Sequence, residues 1–208
     1  MNSLPSSEPL RVFTYFDYAC PYSYLAVALL GSAAEQAALD IVWRPLEIRP
    51  EVVAPQEGAA EGPGDDFAEA DWQDLAERAA ALGLPLYRPR RHPSTRLALQ
   101  AGEFARDLGK EAHLRLHRAI FRAHFVRQLQ IDRMETLSQL AAEEGLDVEA
   151  LSLALEDGRY LEELRRAEEE AERYEIAQTP TMLFGRFKVV GAAPVEVLLK
   201  AARRSAAE

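Results

Sequence analysis

Val12-Phe13-Thr14-Tyr15-Phe16-Asp17-Tyr18-Ala19-Cys20-Pro21-Tyr22-Ser23-Tyr24 carries a short apolar, aromatic run into a proline-led run rich in Ala and Leu. The first run has the composition of a buried strand over 12–16, and the second has helical spacing over 22–38. Pro21 suits a first helical turn, where its missing N–H leaves nothing unpaired. Cys20 therefore stands at the junction, where unpaired backbone N–H groups and the helix dipole favour a thiolate. A thiol there is expected to titrate at ~3.5 to 7.5. Position 23 is serine and the chain has a single cysteine, so no Cys-x-x-Cys pair exists and no disulfide can close within the chain. Ser23, one turn into the helix, is placed to donate a hydrogen bond to the Cys20 thiolate.

Beyond this stretch, Ile41 to Leu46 supplies a second strand, so the chain opens as β-α-β. Residues 1–9 read as a loose tail, and 51–69, rich in Pro, Gly, Ala and acid, as a surface loop. Helical spacing then continues over 72–82, 94–108, 110–126, 132–144, 147–156 and 160–176, with Gly83, Gly109, Gly145 and Gly158 as stops. The chain returns to strand in Thr181 to Phe184 and Phe187 to Val190, a hairpin around Gly185-Arg186, and closes with a helix over 194–203. Gln178-Thr179-Pro180-Thr181 places a proline immediately before that hairpin. The expected organisation is an α/β domain made of an N-terminal β-α-β half (1–50) and a C-terminal β-β-α half (177–208), bracketing an all-helical insertion (51–176).

A formal charge of -10 and a pI near 5.0 argue against a broad nucleic-acid or anionic-membrane surface, both of which need a basic field. No stretch has the ~20 apolar residues of a membrane span, and Met1 to Leu10 lacks the basic and apolar regions of a signal peptide. With a lone cysteine, these features point to a cytoplasmic protein. Small molecules or neutral protein segments are the expected partners.

All four histidines fall between 92 and 124, and His113, His117 and His124 share a stripe with Leu116 and Ile120. A metal site would need further Cys, Asp or Glu ligands, whereas the neighbours are mainly Arg and Leu. A polar pocket near Cys20 is a second reading, with Arg96, Arg115, Arg118 or Arg122 available to a carboxylate. The simplest reading leaves the histidines solvated among arginines. Asp17 reads as a capping residue of its loop, with a buried acid tuning the thiol as the alternative. The Glu162 to Glu175 run, with Arg165, Arg166 and Arg173 at helical spacing, reads as a solvated face.

These segments resemble the DsbA-like branch of the thioredoxin superfamily, in particular FrnE-type proteins and the 2-hydroxychromene-2-carboxylate isomerases, which are related to kappa-class glutathione transferases. The resemblance spans roughly residues 11 to 203. It rests on Tyr15 to Ala26, Ser94 to Ala98, Leu116 to Phe125 and Gln178 to Ala192. It implies a thioredoxin fold with a large helical insertion and a cis Thr179-Pro180 bond packed against Cys20, leaving the Thr179 backbone to pair with an extended substrate. FrnE-type oxidoreductases carry Cys-Pro-Trp-Cys, where this chain has Tyr22 and Ser23; the isomerases resemble Ser-Pro-Tyr, where this chain has Cys20.

The resemblance implies a thiol-disulfide oxidoreductase of DsbA/FrnE type with Cys20 as nucleophile, Ser23 as its partner, and Pro21, Tyr22, Thr179 and Pro180 lining the substrate site. A lone thiol needs an external one to resolve a mixed disulfide, and glutathione is the expected co-substrate, with no tightly bound cofactor. The expected partner is a small thiol or a disulfide-containing protein, and relatives of this kind admit a homodimer. Two alternatives stand beside it. One is a glutathione-dependent isomerase or transferase in which Cys20 serves as a hydrogen-bond donor. The other is a redox-inactive peptide-binding module.

Overall fold

The computed structural model describes residues 8–48 and 68–207. The tail expected over 1–9 and the loop expected over 51–69 lie outside the described residues except at 8–9 and 68–69, and Glu69 already opens a helix. Along the chain come β1 (Leu10–Phe16), α1 (Pro21–Gln36), β2 (Leu39–Pro45), α2 (Glu69–Ala81), α3 (Arg96–Asp107), α4 (Lys110–Phe125), α5 (Met134–Glu143), α6 (Val148–Glu156), α7 (Leu161–Arg173), β3 (Thr181–Phe184), β4 (Phe187–Val190) and α8 (Val195–Ala206).

The sheet runs β2-β1-β3-β4, with β1 parallel to β2 and antiparallel to β3, and β3 antiparallel to β4. A parallel β1/β2 pair cannot be joined by a tight turn, and α1 makes the crossover. Gly185 adopts φ +57, which lets Phe184 and Phe187 pair directly across the hairpin turn.

Alternation along β1 sorts its side chains between two faces. Val12 and Phe16 join Trp43, Met182 and Phe184 in the main core, against the apolar sides of α1, α3, α4 and α8. Tyr15 and Leu183 point the other way, onto Ala171 of α7 and Ile176 beyond it. The sheet is thus covered on both faces, and the end of β1, where Phe16 pairs with Pro45, opens onto the loop that carries Cys20. This is a mixed α/β thioredoxin-like architecture, as the sequence predicts.

Candidate active site

The turn between β1 and α1 is tied from three directions by one carboxylate. Asp17 Oδ1 accepts the Ala19 N–H at 2.8 Å, and Oδ2 accepts the Ile48 N–H at 2.7 Å and the Thr95 hydroxyl at 3.2 Å. The carboxylate is buried, and that burial pushes its pKa up to about 6 against the hydrogen bonds that favour its charge. Asp17 therefore caps its own turn, as expected, and also holds the segment after β2 and the start of α3 to that turn. It is a buried acid too, so both sequence readings of this residue apply. The Cys20 N–H bonds back to the Asp17 carbonyl at 3.1 Å, closing the turn.

Cys20 is the N-cap of α1, with φ -89 and ψ 112, and Pro21 follows in the first turn. The Thr179-Pro180 bond is cis, and Cys20 Sγ donates to the Thr179 carbonyl at 3.1 Å. The carbonyl that the sequence reading left to a substrate is therefore occupied by the thiol itself. The Pro180 carbonyl accepts the Gly191 N–H at 2.8 Å, so the segment after β4 braces the proline from behind.

The expected acidic thiol is not what this arrangement produces. Burial pushes the Cys20 pKa above its ordinary value, and the Asp17 carboxylate adds to the effect. Hydrogen bonds from Ser23 and from Thr179 oppose the rise without cancelling it. The helix N-terminus favours the thiolate, but desolvation is the larger effect for a thiol enclosed by a helix, a loop and a proline. Ser23 is fully buried, and its Oγ also lies 3.5 Å from the Asp17 N–H, so it links the turn to the thiol.

Tyr22 is only partly buried and stands at the rim. The Arg78 guanidinium of α2 lies over its ring at 5.6 Å and also donates to the Ala192 carbonyl, joining α2 to the segment after β4. Thr179 Oγ1 is buried beside the thiol, where it favours the thiolate and meets no other hydrogen-bond partner among the described residues. Cys20, Ser23, Thr179 and Pro180 thus form one cluster, with Pro21 shaping the helix start and Tyr22 at its edge.

The three histidines of α4 are buried, which corrects the solvated reading. His117 sits at the centre, its Nδ1 at 3.1 Å from the Tyr18 hydroxyl and its ring against Phe16, Trp43 and Phe121. Burial holds His113 down to about 4, His124 down to about 3, and His117 well below its ordinary value, so all three are neutral at pH 7. Among the described residues no group of three or more His, Cys, Asp or Glu is gathered as metal ligands.

Two of the arginines offered to a carboxylate are engaged elsewhere. Arg96 grips Glu47 through both Nε and an NH2 group, at 3.0 and 2.8 Å, and Arg115 reaches Glu144 at 3.8 Å. Arg118 and Arg122 line a groove along α1 that begins at Tyr24 and does not include Cys20.

A lone thiol at a helix N-cap, donating to the carbonyl before a cis-proline on a β-α-β plus β-β-α sheet, defines a thiol protein of thioredoxin fold. The chain belongs to the DSBA-like thioredoxin domain family, which matches residues 11–203. It is 30% identical over 195 residues to the uncharacterised protein YwbO of Bacillus subtilis, covering 92% of this chain and 95% of that protein. A probable DsbA oxidoreductase from Streptomyces coelicolor superposes with a TM-score of 0.82 at 26% identity, over 95% of this chain and 90% of that one. A 2-hydroxychromene-2-carboxylate isomerase superposes with a TM-score of 0.75 at 23% identity, over 93% and 95%. Among the described residues, no helix is long and apolar enough to cross a membrane.

Proposed function

We propose that the protein is a cytoplasmic monothiol thiol-disulfide oxidoreductase whose mixed disulfide is resolved by an external thiol such as glutathione. The observation that carries this reading is the 3.1 Å contact between the only sulfhydryl group and the backbone carbonyl ahead of the cis-proline. A disulfide-bearing substrate that enters along Thr179 donates a backbone N–H to that carbonyl and frees the sulfur from its acceptor. The Cys20 thiolate then attacks one sulfur, forming a Cys20–substrate disulfide and expelling the other sulfur as a thiolate. Attack by glutathione thiolate on the substrate sulfur returns Cys20 as thiolate and releases a glutathione mixed disulfide. The net exchange converts one disulfide and one thiol into another disulfide and another thiol, so no further oxidant is needed. The raised thiol pKa means the resting enzyme holds a proton that must leave before attack, and turnover is therefore expected to rise with pH through the alkaline range.

One observation favours a second reading. A thiol held neutral and donating is what a glutathione-dependent isomerase or transferase would use to orient a bound glutathione, with the chemistry on the glutathione sulfur. Incubating the reduced protein with oxidised glutathione and measuring intact mass separates the two. A single glutathione adduct that free thiol reverses and Cys20→Ser abolishes supports the exchange reading. Stoichiometric glutathione binding without an adduct, surviving in Cys20→Ser, replaces it with the isomerase reading.

A further inference from the structure

On the α1 side of α4 runs a groove of about 400 Å³, a volume suited to a small organic molecule. Its lining is apolar where α1 meets α4: Val27, Ala28 and Gly31 of α1, Phe121 of α4 and Leu84 after α2. Tyr24 closes one end, anchored by its hydroxyl on the Pro85 carbonyl at 3.3 Å and by stacking on Phe125. Gly31 is the unusual member. A Cβ built there would meet nothing within 4 Å, so the helix gives up side-chain volume and helical propensity at a point where no neighbour requires it.

The rim is charged. Arg118 and Arg122, one turn apart on α4, both line the groove as well as the neighbouring one bordered by Glu143 and Glu144, and among the described residues Glu35 of α1 is the one carboxylate lining the former. The arginines on either side are held by acids, Arg115 by Glu144 at 3.8 Å and Arg127 by Glu143 at 2.7 Å. Arg118 and Arg122 make no ion pair with a described residue, and the rim carries a local excess of positive charge on a chain of formal charge -10. Guanidinium groups above an apolar trough match a ligand with a planar anionic head and an apolar body.

The geometry points to a second binding site, distinct from the Cys20 cluster, that takes a small amphipathic carboxylate: its carboxylate on Arg118 and Arg122, its apolar body in the trough over Gly31. Because Cys20, Ser23, Thr179 and Pro180 lie outside this groove, the site stands whether or not the thiol turns over.

Isothermal titration of the full chain with octanoate, 2-naphthoate and 1-octanol tests it, alongside Gly31→Leu and the double variant Arg118→Ala/Arg122→Ala. One-to-one binding of octanoate or 2-naphthoate is expected, with the stronger of the two identifying an alkyl or an aryl body. Filling the trough with Gly31→Leu should abolish binding, while thermal unfolding and the Cys20 alkylation rate stay at wild-type values. Removing both guanidinium groups should weaken carboxylate binding roughly tenfold, and 1-octanol should bind at least roughly tenfold more weakly than octanoate. Failure of both carboxylates to bind wild type, binding that persists in folded Gly31→Leu, or equal binding of octanol and octanoate would each overturn the proposal. So would loss of the groove into a self-association interface, seen as a concentration-dependent mass that Gly31→Leu abolishes.

Discussion

Cys20 is held between opposed influences of unequal size. The helix start and Ser23 favour the thiolate, but the sulfur is buried and faces a carbonyl oxygen, which can only accept. The alkylation rate of Cys20 is therefore expected to climb with pH and inflect above the roughly 8.5 of a free cysteine. Ser23→Ala removes one of the groups that oppose the rise and should lower the alkylation rate at pH 8 by roughly fivefold, with the inflection moving further up. An inflection below pH 7 would show that the helix dipole outweighs burial after all. The residues of this cluster were legible in the sequence because strand, cysteine, proline and helix are neighbours along the chain, and because Thr179-Pro180 directly precedes a hairpin. The thiol's electrostatics were not, since they depend on how completely Thr179 and Pro180, about 160 residues away, enclose the sulfur.

At the scale of elements, α3 and α4 dock on the site through Tyr18. Its hydroxyl lies 3.1 Å from His117 Nδ1 of α4, and a Cβ at Gly102 of α3 would come within 2.8 Å of the same oxygen. Gly102 is thus required by a close approach of two elements rather than by its own backbone. Gly102→Ala is expected to destabilise the protein by about 1 to 3 kcal/mol, because the ring is packed behind the hydroxyl and cannot retreat. Tyr18→Phe opens that space while leaving His117 Nδ1 without its partner. In Gly102→Ala/Tyr18→Phe the two losses should therefore sum to less than their separate values, by about 1 kcal/mol or more in a urea-unfolding cycle. Strict additivity would mean that the contact is not shared. The helices themselves were readable from spacing and glycine stops, with ends displaced by a few residues. The burial of His113, His117 and His124 was not, because α4 shows arginines beside them in sequence while Phe16, Tyr18 and Trp43, which enclose His117, reach it only through the fold.

Across the whole molecule, these neutral histidines make stability depend on pH. In the unfolded chain a histidine gains its proton near pH 6.5, whereas in the folded chain His113 does so at about 4 and His124 at about 3. Between those values the unfolded state binds more protons, so each buried histidine removes about 1.4 kcal/mol of stability per pH unit as pH falls below 6.5. His117, held well below its ordinary value by the same burial, acts in the same direction. Asp17 acts oppositely. Its folded value of about 6 lies above the unfolded 3.8, so the folded state takes up the extra proton in that interval and regains stability as pH falls through 6. Three histidines against one carboxylate leave a net loss, on the order of 4 kcal/mol between pH 7 and pH 5. Carboxylates held below their usual range, such as Asp40 beside Lys110, add to acid instability only below about pH 4 and leave this window to the histidines. Urea unfolding at pH 7, 6 and 5 measures the slope directly. His124→Leu, which removes one of the three groups and keeps an apolar side chain in its place, should reduce the loss between pH 6 and pH 5 by about 1.4 kcal/mol. A wild-type slope in that variant would mean that His124 is already charged, or already solvated, in the folded protein. A slope of the opposite sign in the native chain would place Asp17, rather than the histidine stripe, in control of acid stability.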